Sequence, residues 1–99
     1  MKLADLTRFL DEELHLEQYR SDHSNNGLQV EGDPEVRRAA FAVDACLATF
    51  ERAVEEKVEF LFVHHGLSWG GEPGRFTGIT AARLKCLFHA GISLYAAHL

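Results

Sequence analysis

The sequence predicts one α/β layered unit over residues 1–99, with a mixed, mostly parallel sheet flanked by helices. Two observations carry that prediction. Stretches with apolar residues at helical spacing alternate with short apolar runs of strand length, and the segments between the later runs are long enough to be crossover helices. Such crossovers are right-handed and join parallel strands, so the last three strands should be neighbours, with the first strand at an edge. A content of 46% hydrophobic and 25% charged residues is ordinary for a folded chain and excludes disorder as the default.

Leu3, Leu6, Phe9, Leu10 and Leu14 fall at helical spacing between charged residues, predicting an amphipathic helix over residues 2–14. The polar stretch Tyr19 to Asn26 ends in Asn25-Asn26-Gly27, a turn signal because Asn and Gly tolerate positive φ. Leu28-Gln29-Val30 then alternates as a short, half-exposed strand before Glu31-Gly32-Asp33-Pro34 breaks it. A second strand is expected over Ala39 to Val43, after which Asp44 stands where a helix N-cap would. The following helix should turn Leu47, Phe50 and Val54 inward, with Cys46 and Ala53 as further inward candidates, and end near Lys57. Val58 to Val63, apolar apart from Glu59, reads as a strand covered on both faces. A loop from Gly66 to Thr77 holds four of the eight glycines. Ile79, Ala82, Leu84, Cys86, Leu87 and Ala90 then mark a helix that Gly91 closes, and Ile92 to Ala97 reads as the last strand.

The formal charge of −5 and the lack of a Lys/Arg stripe argue against nucleic acid as a partner. No apolar run approaches the roughly 18 residues that span a bilayer, and no signal core follows Met1-Lys2-Leu3, so no membrane association and a cytoplasmic location are expected. Cys46 and Cys86 lie 40 positions apart in apolar patterns, which suits core thiols in a reducing compartment.

Chemistry should be sought at the carboxyl ends of the parallel strands, where open α/β sheets form their ligand crevice. His64 and His65 stand there side by side, immediately before Gly66. Successive strand side chains point to opposite faces, which opposes a shared ion, but geometry relaxes at a strand end. The pair could hold one ion between them, or one ion each of a close pair. Otherwise one ring packs on a backbone carbonyl and the other is exposed. His98, at the end of another parallel strand, makes a three-imidazole cluster plausible. Asp44 is the best-placed carboxylate, with capping as its competing role. Trp69 could stack on a planar substrate or simply pack its loop. Ser68 has no evident base beyond the His pair, and Gly70-Gly71 with Gly74 makes no phosphate loop. His15, His23 and His89 sit among charges and are expected to be solvated.

Three segments, Asn26-Gly27-Leu28-Gln29-Val30-Glu31-Gly32, His64-His65-Gly66 with Trp69-Gly70 beyond, and Leu94-Tyr95-Ala96-Ala97-His98-Leu99, together resemble the Nif-three-like family. These are the dinuclear metal centre hexameric proteins, also named GTP cyclohydrolase 1 type 2. The resemblance spans essentially the whole chain and implies an intertwined two-repeat α/β fold, of which residues 1–99 form the N-terminal half. It implies a toroidal homo-hexamer with two divalent metal ions per subunit, such as zinc or iron. It also implies His64 and His65 as metal ligands, and His98 at or beside the site as a ligand or proton carrier. The family's bridging Asp would stand three residues beyond Leu99, and its C-terminal His-x-x-x-Glu lies in the second half.

The expected activity is therefore hydrolysis, in which water activated by the ions attacks an electrophilic carbon or phosphorus of a nucleotide such as GTP, with Trp69 as a substrate contact. The 99-residue chain alone is expected to be inactive. A non-catalytic metal-binding toroidal scaffold acting through protein partners is the alternative. An apolar strand without its continuation leaves an edge to be covered, so the chain is expected to associate with itself or with a copy of the family's second half; a clean monomer at micromolar concentration in analytical ultracentrifugation contradicts this.

Overall fold

The computed structural model describes all residues 1–99 and orders its elements as α1 (Leu3–Glu13), a short 3-10 turn (Leu16–Tyr19), β1 (Gly27–Val30), β2 (Ala39–Asp44), α2 (Leu47–Glu55), β3 (Phe60–His65), α3 (Gly78–Ala90) and β4 (Ser93–Ala96). The sheet order is β1-β4-β3-β2. β2, β3 and β4 are parallel neighbours, and β1 lies antiparallel to β4 at one edge. This is the mixed, mostly parallel sheet that the crossover rule requires.

Strand alternation divides the interior into two layers. Leu61, Val63, Leu94 and Ala96 point toward α2 and α3 and pack with Phe50, Ala53 and Leu87. Phe60, Tyr95 and Ala97 point the other way and pack with Leu3 of α1 and Val36. The Tyr95 side chain is fully buried and its hydroxyl donates to Asp11 Oδ1 of α1 at 2.8 Å. Burial and that acceptor push the phenol far above the usual tyrosine range. On the α1 side, β2 is left open: Phe41 is 78% exposed, touching Phe62 with ring centroids 5.2 Å apart.

Several expectations need correction. The third strand is displaced by two residues, beginning at Phe60 and running through His65 rather than ending at Val63. Lys57, at φ 56°, turns the chain out of α2, and the Val58 amide still donates back to the Ala53 carbonyl, so pairing starts later. Asp44 is not the N-cap of α2: it closes β2, Cys46 takes the cap position, and no side chain caps the helix. Cys46 Sγ instead lies 3.2 Å from Thr49 Oγ1. Val54 is 41% and Ile79 64% exposed, and Ala82 is exposed as well, because α2 and α3 each bury only a narrow stripe. Both cysteines are free thiols, and Gly91 closes α3 at φ 67° as expected. No helix is long and apolar enough to cross a membrane.

Glu59, just before β3, clamps the segment leading into β2: its Oε1 accepts from the Arg37 and Arg38 amides at 2.7 and 3.0 Å. Those hydrogen bonds, with the two guanidinium charges adding, hold its carboxyl below the usual glutamate range. A depressed folded-state pKa stabilises the fold above the unfolded value and loses that stabilisation as pH falls through the folded one. Glu59→Gln is therefore expected to lower stability by about 1 kcal/mol at neutral pH, with the difference shrinking below about pH 4. Urea midpoints measured across that range check it; a constant difference contradicts it.

Candidate metal centre

The parallel register pairs Phe62 with Tyr95 and Val63 with Ala96, so β3 and β4 end at the same edge of the sheet. His64 and His65 close β3, and His98 follows β4 by two residues. Ring centroids lie 4.6 Å apart for His64–His65, 4.6 Å for His64–His98 and 5.4 Å for His65–His98. One ring nitrogen from each lies within 4.8 Å of the others. The opposition expected of adjacent strand residues is overcome because the two rings are anchored on opposite sides, His64 toward β4 and His65 toward β2.

Those anchors also set the proton positions, since carbonyl and carboxylate oxygens only accept. His64 Nδ1 donates to the Ala97 carbonyl at 3.2 Å, and His65 Nδ1 donates to Asp44 Oδ1 at 2.8 Å. Both rings keep the Nε2 lone pair free. His98 Nδ1 faces Asp22 Oδ2 at 3.9 Å, too far for a direct hydrogen bond. The Asp22 carboxyl accepts from the Ser24 amide and is held below the usual aspartate range, with the His98 and His23 rings adding to the effect. Three imidazoles with half-buried rings are a donor set that suits a borderline cation such as zinc, which needs three protein ligands when water takes the fourth position. A second ion would need donors beyond these three.

A polar brace holds the loop after the His pair. Gln29 Oε1 accepts from the Leu67 and Ser68 amides at 2.8 and 3.0 Å. Its Nε2 lies within donating distance of the Ser24, Asn25 and Ser68 carbonyls. Gly66 is required here, because a Cβ would collide with the Gln29 amide and lie 2.7 Å from Ala96 Cβ. Asn26 Oδ1 accepts from the His98 amide at 2.7 Å, and Asn25 Nδ2 donates to Ser68 Oγ at 2.6 Å. Thus Ser68 is part of the brace.

Trp69 does pack its loop, its indole donating to the Gly66 carbonyl at 2.9 Å, yet its ring also meets His98 edge-on with centroids 5.3 Å apart. It walls one side of the imidazole cluster. His15, His23 and His89 are exposed, as expected. Sequence spacing did not reveal the roles of Gln29 and Asn26, and it left Asp44 between a carboxylate of the site and a helix cap. Gln29 and Asn26 belong to a segment legible only as turn and strand, and Asp44 resembled a cap because α2 begins three residues later. The largest groove, about 620 Å³ between α1 and β1, shares no lining residue with the cluster.

Fold and site together define the class: a mixed α/β sheet that gathers an imidazole cluster at the carboxyl edge of its parallel strands. The chain belongs to the Duf34/NIF3 (NGG1p interacting factor 3) family, whose model matches residues 1–99. It is 50% identical over 99 residues to a protein of Archaeoglobus fulgidus named GTP cyclohydrolase 1 type 2 homolog, and 48% identical to the one from Pyrococcus abyssi. These alignments cover all of this chain but only 40% and 39% of the relatives, so the chain spans about two fifths of their length. Among solved structures, TTHA1606 from Thermus thermophilus superposes with a TM-score of 0.96 at 50% identity, over 100% of this chain and 40% of that one. Reduced HcgD from Methanocaldococcus jannaschii gives 0.82 at 33% identity, over 98% and 39%.

Because five polar contacts converge on one side chain, Gln29→Ala should strand the Leu67 and Ser68 amides and cost about 1–3 kcal/mol. Hydrogen exchange at those two amides should accelerate well beyond the change in global stability. Unaltered protection there would contradict the brace.

Proposed function

We propose that this chain carries the imidazole side of a metal-dependent hydrolytic centre. His64 and His65 serve as ligands of divalent ions, and His98 as a further ligand or proton carrier beside them. The observation that supports this most directly is the convergence of three imidazole nitrogens within 4.8 Å, two of the rings already holding their Nδ1 protons on protein oxygens. A bound cation supplies Lewis acidity and lowers the pKa of water toward neutrality. The chain's own residues do the remaining work. The Ala97 carbonyl and Asp44 orient the two ligand rings, Trp69 offers an aromatic wall for a planar substrate, and His98 can accept a proton.

A nucleotide such as GTP is the substrate class, supported by the names of the relatives. A neighbouring groove of about 570 Å³ is polar but lined by Asp11, Glu17 and Asp22 against Arg20 alone, so it adds no support for an anionic substrate. In this proposal a second ion draws its donors from the part of the relatives' length that the chain does not cover. The working form is a homo-oligomer, a hexamer on the family pattern.

The test is zinc content by elemental analysis after equilibration and desalting, for the chain and for His64→Ala and His65→Ala. Each substitution should weaken retention by at least about tenfold. Equal metal in all three contradicts the centre. Metal retained without GTP turnover by a full-length relative contradicts the GTP-hydrolase reading and leaves a metal-binding scaffold; the chain alone is expected to be inactive either way.

A further inference from the structure

We propose that Asp44 is a positioning residue for this centre, holding His65 with its proton on Nδ1 so that Nε2 is presented to a cation. The inference rests on the metal-centre reading and names a residue outside the imidazole cluster. Asp44 is the last residue of β2 and the register partner of His65, and the Ala45 amide donates to the His65 carbonyl at 3.1 Å, fixing the two backbones together. Asp44 Oδ1 stands 2.8 Å from His65 Nδ1 and makes no other side-chain hydrogen bond. It neither caps α2 nor joins the group of ligand atoms within 4.8 Å.

The His64 ring repeats the arrangement, its Nδ1 lying 3.2 Å from the Ala97 carbonyl. His98 Nδ1 is 3.9 Å from Asp22 Oδ2, beyond hydrogen-bond distance, so only His64 and His65 have a fixed Nδ1 side and present Nε2. An imidazole that donates its second N–H to a carboxylate is fixed in tautomer and orientation and becomes a more basic ligand, and removing such a partner typically weakens metal binding 10–100-fold. With a backbone acceptor behind His64, no single substitution can remove its anchor; with a side chain behind His65, one can.

The experiment compares the unaltered chain with Asp44→Ala and Asp44→Asn, the latter keeping an acceptor oxygen. Nitrogen-15 shifts of the His65 ring, recorded without metal at about pH 8 where imidazole is neutral, report the tautomer. Zinc titration calorimetry reports affinity. Asp44→Ala should lose the Nδ1-protonated form and bind zinc about ten- to hundredfold more weakly, and Asp44→Asn should fall between it and the unaltered chain. Thermal melting should barely move, because the Asp44 side chain is 63% exposed. An unchanged tautomer in Asp44→Ala overturns the inference, including when affinity falls, since that combination marks Asp44 as a direct ligand. Unchanged affinity in a chain that binds zinc overturns it as well. Absence of zinc binding by the unaltered chain instead overturns the metal centre, while the ring spectrum still decides whether Asp44 sets the tautomer.

Discussion

The pairing of β3 with β4 is the constraint on which the remainder of the architecture depends. Both strands are central, both are covered by helices or by the neighbouring layer, and their register places Val63 opposite Ala96. A parallel pair aligns its carboxyl ends, so whatever follows the two strands is delivered to one edge of the sheet. Here that is His64 and His65 from one strand and His98 from the other. A slip of one residue would reverse the facing of every β4 side chain, sending Leu94 and Ala96 out of the α2–α3 layer and Tyr95 away from Asp11. The same packing that stabilises the sheet therefore fixes which imidazoles meet.

Fixing the edge is not sufficient to hold three rings in one place, because residues beyond a strand end lose the ladder that constrained them. Side-chain amides take over from it. Asn26 receives the His98 amide, and Gln29 receives the two amides that follow Gly66, so β1 acts on the loop beyond β3 across the intervening β4. Gly66 lets the loop approach the Gln29 amide closely, and the Trp69 indole then closes back on the Gly66 carbonyl. These bonds satisfy backbone groups that the turn would otherwise leave unpaired.

Much of this was legible from the residues alone, and the parts that were not share a cause. Strand order followed from crossover length and handedness, and the helix of α1 from its apolar spacing, because both are consequences of local pattern. The gathering of His64, His65 and His98 was readable from their position at strand ends. What escaped was set by contacts between distant segments. Asp44 was legible as the best-placed carboxylate for the His site, but a cap role competed with it, and only its pairing with His65 across the sheet decides between the two. Gln29 looks like the polar position of an alternating strand, while its amide reaches residues nearly 40 positions away. Val54 and Ile79 follow helical periodicity yet face outward, since periodicity gives the direction of a face but not how wide a neighbour covers it.

Anomalous diffraction at the zinc edge from crystals equilibrated with zinc tests the central claim most directly. The account predicts a peak at coordination distance from Nε2 of both His64 and His65, beside the His98 ring, with the Nδ1 atoms of His64 and His65 still on Ala97 and Asp44. Rings that turn apart, with zinc elsewhere or nowhere, would contradict it.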